Sequence, residues 1–511
     1  MSRIKKSLKN AQVSVLYYSL TIILGFYSRK VFLDFLGDDF IGLTTLFTKV
    51  LSILNIAELG IGTAVSYALY KPLLHSERKT IKDLVVYLAH FYKKIGTIIL
   101  CLGIGISLFF PFFFKDLPFS FILIYYAYLS TLFAAVSNYF FNYHTILFQA
   151  DQRDYVITRF FQGVGLIKTI VQIVLLYIFQ NYYVWVTIEV VFTITLIIGL
   201  RSQAKKTYDW LFTDSMLKLK PKKFPDVLGK IKQIVIHRLA WFILIGTDQI
   251  LIYSIINLKS VAYYGNYMLI FNYTSTFSNK LLDGMQASIG NLLAENNKQN
   301  INSVFWEIMS LRHFIGGFLF IALYFLTNDF VTLWIGEKYL FEQSILFFLI
   351  LNIYIGQVKK PVDQFVIGYG AYNDTWASIT QAVLNLGISI WLGLKWGILG
   401  IVLGYTISLT LISLVWKPFF LFKYHLKFSL LKYWVEFFKL SASIPISYLV
   451  INKIMHKINF MHVGSYQEWF LKSFIITAIA ILTMSAIMYP LSKGFRSLLD
   501  RLFNLIKRKF L

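Results

Sequence analysis

The sequence predicts an all-α polytopic membrane protein of about fourteen spans, and three observations carry that prediction. The 511 residues are 57% hydrophobic and only 14% charged, and the mean hydropathy is +0.63. A soluble globular chain carries roughly 25% charged residues, so about half the usual surface charge is missing. Long apolar runs recur with basic residues between them, which is how inner-membrane proteins are built. One cysteine, Cys101, excludes a disulfide framework and a zinc site made of several thiolates. The net charge of +24 could suit nucleic acid, but the chain has no soluble surface on which to display it.

Charges, prolines and Gly-Asn-Asp clusters divide the chain into segments near 13–34, 40–70, 82–113, 119–147, 154–180 and 182–204. A polar stretch, Lys205–Lys232, follows and contains Pro221 and Pro225. Further segments lie near 234–257, 261–293, 302–327, 341–367, 372–394, 397–421, 433–452 and 468–490. The positive start (Arg3, Lys5, Lys6, Lys9) runs into the first apolar segment with no small-residue cleavage site, which reads as an uncleaved first span. With that end in the cytoplasm, the predicted inner loops, counting Arg312 among them, hold roughly fourfold more Lys and Arg than the outer loops. The reading is a multi-pass protein of the bacterial plasma (inner) membrane with both termini cytoplasmic.

The two halves resemble each other at a shift of about 220 residues. Asp39-Phe40-Ile41-Gly42 matches Ala262-Tyr263-Tyr264-Gly265, and Thr80–Asp83 matches Asn300–Ser303. Phe148-Gln149-Ala150 with Asp154 matches Tyr369-Gly370-Ala371 with Asp374. The expected organisation is a six-helix lobe at 1–204, a cytoplasmic linker at 205–232 and a second six-helix lobe at 233–425. A terminal helix pair at 426–492 and a basic cytoplasmic tail at 493–511 complete it, the tail reading as an amphipathic helix on the inner leaflet. Repeats of this kind share one orientation and hold substrate between them.

An ionised group inside the hydrocarbon is costly and faces a cavity or a partner. Such positions are Arg29, Lys49, Glu58, Lys93, Lys94, Lys168, Asp248, Lys280, Asp283, Lys359, Lys360 and Asp363. Lys280 with Asp283, and Lys359 with Asp363, are also spaced for intrahelical ion pairs. Arg29 is also placed to snorkel to the outer headgroups. Asp248 has no local partner in sequence. Cations outnumber carboxylates, which suits an anionic substrate such as a phosphate or pyrophosphate headgroup.

Three motifs carry a resemblance: Glu58-Leu59-Gly60-Ile61-Gly62-Thr63-Ala64 with Tyr67–Pro72, Thr247-Asp248-Gln249-Ile250-Leu251-Ile252, and Tyr264-Gly265-Asn266-Tyr267-Met268-Leu269-Ile270. With the span count, they make the chain similar to the Wzx-type polysaccharide flippases of the multidrug/oligosaccharidyl-lipid/polysaccharide exporter superfamily. The resemblance covers nearly the whole chain in topology but only short stretches in motif. It implies alternating access between two lobes and translocation of undecaprenyl-pyrophosphate-linked oligosaccharide for a surface polymer. The substrate and membrane lipids are then the partners, with a polymerase and a chain-length regulator of the same pathway alongside.

The resemblance further implies that segments 1, 2, 7 and 8 line the cavity, which selects Arg29, Lys49, Asp248 and Lys280. Glu58, Lys168, Asp283, Lys359, Lys360 and Asp363 are secondary candidates, and Gly60, Gly62 and Gly265 are expected to serve helix packing. No cofactor or metal is implied, and the coupling ion, Na⁺ or H⁺, is left open. The rival readings are a cation-coupled drug exporter of the same superfamily and a membrane glycosyltransferase or polymerase. The cationic bias within the spans weighs against the first. Short outer loops without catalytic carboxylates weigh against the second. No Walker A, HExxH or GxSxG motif is present.

Overall fold

The computed structural model describes residues 3–54, 61–115, 117–151, 153–212, 246–282, 285–369, 371, 374–458 and 463–510. Among them there is helix and no strand. Nine helical stretches among the described residues are long and apolar enough to cross a membrane by length and composition. The chain is a multi-pass, all-helical membrane protein. It divides into two compact units, residues 1–253 with 257–265, and residues 254–256 with 266–511.

The first unit runs α1 (Arg3–Leu36), α2 (Asp38–Leu54), α3 (Ile61–Leu74), α4 (Arg78–Ser107), α5 (Phe110–Phe113), α6 (Phe121–Phe141), α7 (Thr145–Ala150), α8 (Asp154–Phe179) and α9 (Tyr182–Thr207). Several ends are set by residues the chain places there. Ser120 caps α6 by accepting from the Leu123 amide, and Asn181 caps α9 by accepting from the Tyr183 amide. Gln180, in the left-handed region at φ 45°, closes α8 one residue earlier, so two residues suffice to join α8 to α9. Pro111 opens α5 and breaks the third apolar segment in two. α8 packs between α1 and α9.

The start of the polar stretch is docked on this unit. Tyr208 donates to Asp151 Oδ2 at 3.0 Å, and the Arg153 guanidinium stands 5.8 Å from its ring centre. Arg78 covers the Trp210 ring in the same way. Burial, followed by the Asp151 charge, pushes the Tyr208 hydroxyl far above its usual range, so it stays a donor. Residues 213–245, the rest of the Lys205–Lys232 stretch and the first part of the seventh segment, lie outside the described residues.

Next in the chain come α10 (Asp248–Ile255) and α11 (Leu258–Leu282), in which the division into units falls. The second unit continues with α12 (Met285–Ala294), α13 (Lys298–Ile335), α14 (Gln343–Val358), α15 (Lys360–Gly368) and α16 (Thr375–Leu409). A π-wound turn at Thr410–Trp416, the short α17 (Lys417–Phe420) and a second π-wound turn at Leu421–Leu426 extend α16. It closes with α18 (Leu430–Ser441), α19 (Ser443–Lys457), α20 (Tyr466–Leu491) and α21 (Lys493–Phe510).

The expected boundary between the eleventh and twelfth segments appears as a break inside α16. Gly397 sits at φ 58° and ψ −132°, a conformation L side chains rarely adopt. Beyond that turn Gly404 packs directly on Ser389, so the two halves of α16 lie together. Pro361 and Pro445 occupy the first turns of α15 and α19, where a missing amide hydrogen is tolerated. These prolines split two segments read as continuous, 341–367 and 433–452.

α13 organises the second unit. Its 38 residues span about 57 Å, well beyond the roughly 30 Å of a bilayer core. α14, α20 and α21 all pack along it. Near one end Lys472 of α20, 2% exposed, donates to Asp329 at 2.6 Å. Toward the other end Glu307 accepts from Ser497 at 2.7 Å and from Arg501 at 3.1 Å, both on α21. Phe495 of α21 is buried against Phe314.

Arg312 departs from the sequence reading. Counted there as a cytoplasmic charge, it is 1% exposed within α13 and donates to Asn279 at 3.1 Å and to Gln357 at 2.8 Å. Both amides are met by the same nitrogen, Nη1, and neither is a charged group that a reading of the charge pattern would pair with it.

Candidate functional site: a polar cluster in the first unit

The first unit gathers charged and hydroxyl groups from four segments. Arg29 lies two turns before the end of α1, half-buried, with Nη2 3.5 Å from the Ala262 carbonyl oxygen. Beside that carbonyl is Gly265, where a methyl group would stand 3.0 Å from the same nitrogen and 3.8 Å from Thr45 Cγ2. The absence of a Cβ at Gly265 is therefore what lets the guanidinium lie against α11. Arg29 thus touches α11 with its guanidinium.

α2 reaches the same place. Gly42 seats directly on the Leu258 backbone and Thr45 comes beside Gly265, and Lys49 lies one turn further along α2. Lys49 is half-buried and lies within electrostatic reach of Asp248, the first residue of α10. Asp248 has the partner that sequence spacing hid. Its Oδ2 accepts from the hydroxyl of Tyr264 at 3.0 Å, and Tyr264 is 4% exposed. The other oxygen, Oδ1, is buried and accepts no hydrogen bond among the described residues.

Arg29, Lys49 and Asp248 therefore share one patch with Tyr264, Gly265 and Thr45. Two cations and one carboxylate are thus brought to one place. Such a patch can take an anion at Arg29 and Lys49, while Asp248 retains a free acceptor atom that suits a proton or a small cation. Neither Tyr264 nor Thr45 was among the site candidates read from sequence, although Tyr264 opens the third motif beside Gly265. Gly265→Ala is expected to fold normally and lower transport about 3- to 10-fold by displacing Arg29 a few tenths of an ångström, checked by transport normalised to membrane level.

The other candidates lie elsewhere. Lys280 is on α11 in the second unit, with its side chain outside the described residues, as are Asp283 and Glu58. Lys168 of α8 donates to both oxygens of Glu189 on α9 at 2.8 and 2.7 Å, and Gln172 donates to the same carboxylate at 3.1 Å. It is a compensated pair, and Glu189 was not recognised from sequence. In the second unit Asp363 takes Lys417 at 2.6 Å and Lys359 at 3.5 Å. The intrahelical pairing read for Lys359 and Asp363 is present, with Lys417 from the twelfth segment as the shorter partner. Lys360 stands beside them.

The class these elements define is a polytopic, all-helical membrane fold with a polar patch in its first unit. No family model and no curated protein matches the sequence. Among solved structures the chain is similar to the lipid II flippase MurJ in an inward closed conformation. The TM-score is 0.66 at 18% identity, over 93% of this chain and 99% of that one. It is also similar to an inward-facing multidrug resistance MATE family transporter of the MOP superfamily, with TM-score 0.59 and 14% identity over 80% of this chain and 95% of that one. A third likeness is to a MOP superfamily transporter from Pyrococcus furiosus described as having a binding pocket of reverse polarity. There the TM-score is 0.54 at 13% identity, over 84% of this chain and 98% of that one. At these identities the fold is what is shared. By name these three neighbours are a flippase and two transporters.

Proposed function

We propose that this chain is a flippase of Wzx type, moving undecaprenyl-pyrophosphate-linked oligosaccharide across the bacterial plasma membrane for surface polysaccharide synthesis. The observation that carries the reading is the placement of two cations, Arg29 and Lys49, in one polar patch of the first unit. A diphosphate offers several oxygens to a planar guanidinium and a nearby ammonium, and a desolvated setting strengthens both contacts. Lys280, on the eighth segment, is the further cation this reading assigns to the substrate path. Alternating access exposes the site first to the cytoplasm and then outward while the polyprenyl tail stays in lipid. Both termini and the 205–232 stretch are cytoplasmic on this reading.

A strain lacking the protein should accumulate lipid-linked repeat units on the inner leaflet and lose a surface polysaccharide. A second reading, cation-coupled multidrug export, is favoured by one observation: Asp248 Oδ1 is buried and accepts no hydrogen bond among the described residues. Intact surface polysaccharide together with raised sensitivity to cationic drugs would replace the flippase reading with that one.

A further inference from the structure

A second group of cations lies outside the patch described above, where α14, α15 and the end of the twelfth segment meet in the second unit. The helix of the tenth segment breaks at Lys359 and restarts at Lys360 with Pro361 in its first turn. Lys417 arrives from the other side, held between the π-wound turns Thr410–Trp416 and Leu421–Leu426. Such turns are uncommon and tend to occur where a side chain must be re-aimed for function.

Asp363 is shared between Lys417 and Lys359, and Asp374 also acts on Lys417. Lys360 makes no ion pair among the described residues, and both it and Lys417 lie close enough to act on Lys359 as like charges. The Lys359 and Lys417 side chains are 25% and 19% exposed, so neither is fully enclosed by protein. Next to Lys417, the indole nitrogen of Trp416 is buried and donates to nothing among the described residues. Among the described residues, Lys360 is thus the lysine of this cluster without an ion pair.

Its depth says what anion it meets. Lys360 lies about 26 Å along the segment from the start of α14, and Lys417 about 30 Å beyond the Gly397 turn. Both distances approach the roughly 30 Å thickness of the hydrocarbon core, so the lysines stand at a headgroup boundary. It is the end of the unit that the charge pattern assigns to the cytoplasm. The anions abundant at that level are lipid phosphates, and basic pockets between spans on this side suit phosphate headgroups.

We infer that Lys359, Lys360 and Lys417 form a phosphate site at the inner-leaflet boundary of the second unit, taking the phosphate headgroup of a lipid. The site is separate from the Arg29–Lys49–Asp248 patch and does not depend on what the protein transports. The phosphate can belong to a bulk anionic phospholipid or to a pyrophosphate-linked lipid.

The test uses the full-length protein in detergent, with lipid binding followed by native mass spectrometry and thermal stability. Phosphatidylglycerol is expected to bind and to raise Tm more than phosphatidylcholine does. Lys360→Gln should weaken that binding about tenfold, and Lys360→Arg should retain most of it. Lys360→Gln leaves Asp363 with both its lysines, so folding is preserved. Displacement by inorganic pyrophosphate at constant ionic strength would identify a site for diphosphate headgroups; lack of displacement would identify a phospholipid site. The inference is overturned if phosphatidylglycerol has no advantage over phosphatidylcholine and pyrophosphate does not bind. It is equally overturned if the folded Lys359→Gln/Lys360→Gln double variant binds as the wild type does. These readouts need no transport, so the flippase reading can fail while this one stands.

Discussion

Arg29→Ala is expected to reduce transport about 10- to 100-fold while leaving the amount of protein in the membrane unchanged. The range is that of removing a charge-assisted hydrogen bond of roughly 1.5–3 kcal/mol. Arg29→Lys should retain part of the activity, because it keeps the charge but loses the planar fork that grips two phosphate oxygens. Asp248→Asn should behave differently. It can still accept from Tyr264 but carries no charge, so turnover should fall more than substrate affinity. Vesicle transport measured against substrate concentration separates the two effects. Wild-type rates in all three variants would remove the patch from the transport path.

The largest expected stability effect lies in the second unit, at the pair Lys472–Asp329. Lys472 is 2% exposed, and Asp329 Oδ2 is 2.6 Å from its ammonium group. Asp329→Leu takes away that carboxylate and is expected to cost about 3–5 kcal/mol. Replacing both, as Asp329→Leu with Lys472→Met, should recover most of the loss, because no buried charge then remains to be compensated. Unfolding followed by circular dichroism in detergent, as a double-mutant cycle, checks both statements. A single variant as stable as the wild type would show that the pair contributes little.

What the sequence revealed depended on the range of the signal. Apolar runs and the basic loops between them are local, so the all-helical membrane fold and the turn near Gly397 were legible. Short breaks inside spans were less so: Pro361 and Pro445 lie in apolar runs whose hydropathy stays high across the break. The site was legible in its charges, since Arg29, Lys49 and Asp248 each stand out against hydrocarbon. Their partners were not. Tyr264 meets Asp248 from sixteen residues away across a turn, and Glu189 meets Lys168 from the next helix. Arg312 escaped because two amides, Asn279 and Gln357, receive it. Hydropathy counts residues along the chain, whereas compensation of a buried charge is settled between helices.

The length of α13 has a mechanical consequence. Glu307 and Asp329 lie on one continuous helix about 33 Å apart, and each is fastened to a different later helix, α21 and α20. The rod is thus clamped near both ends, and the clamps are charged side chains rather than grease. An α-helix of that length is stiff against bending, so displacement of the C-terminal helix at one membrane face is passed along the rod instead of being absorbed locally. Flexing within the second unit is left to the joints that lack such a splint, at Lys359, Gly397 and Ala442.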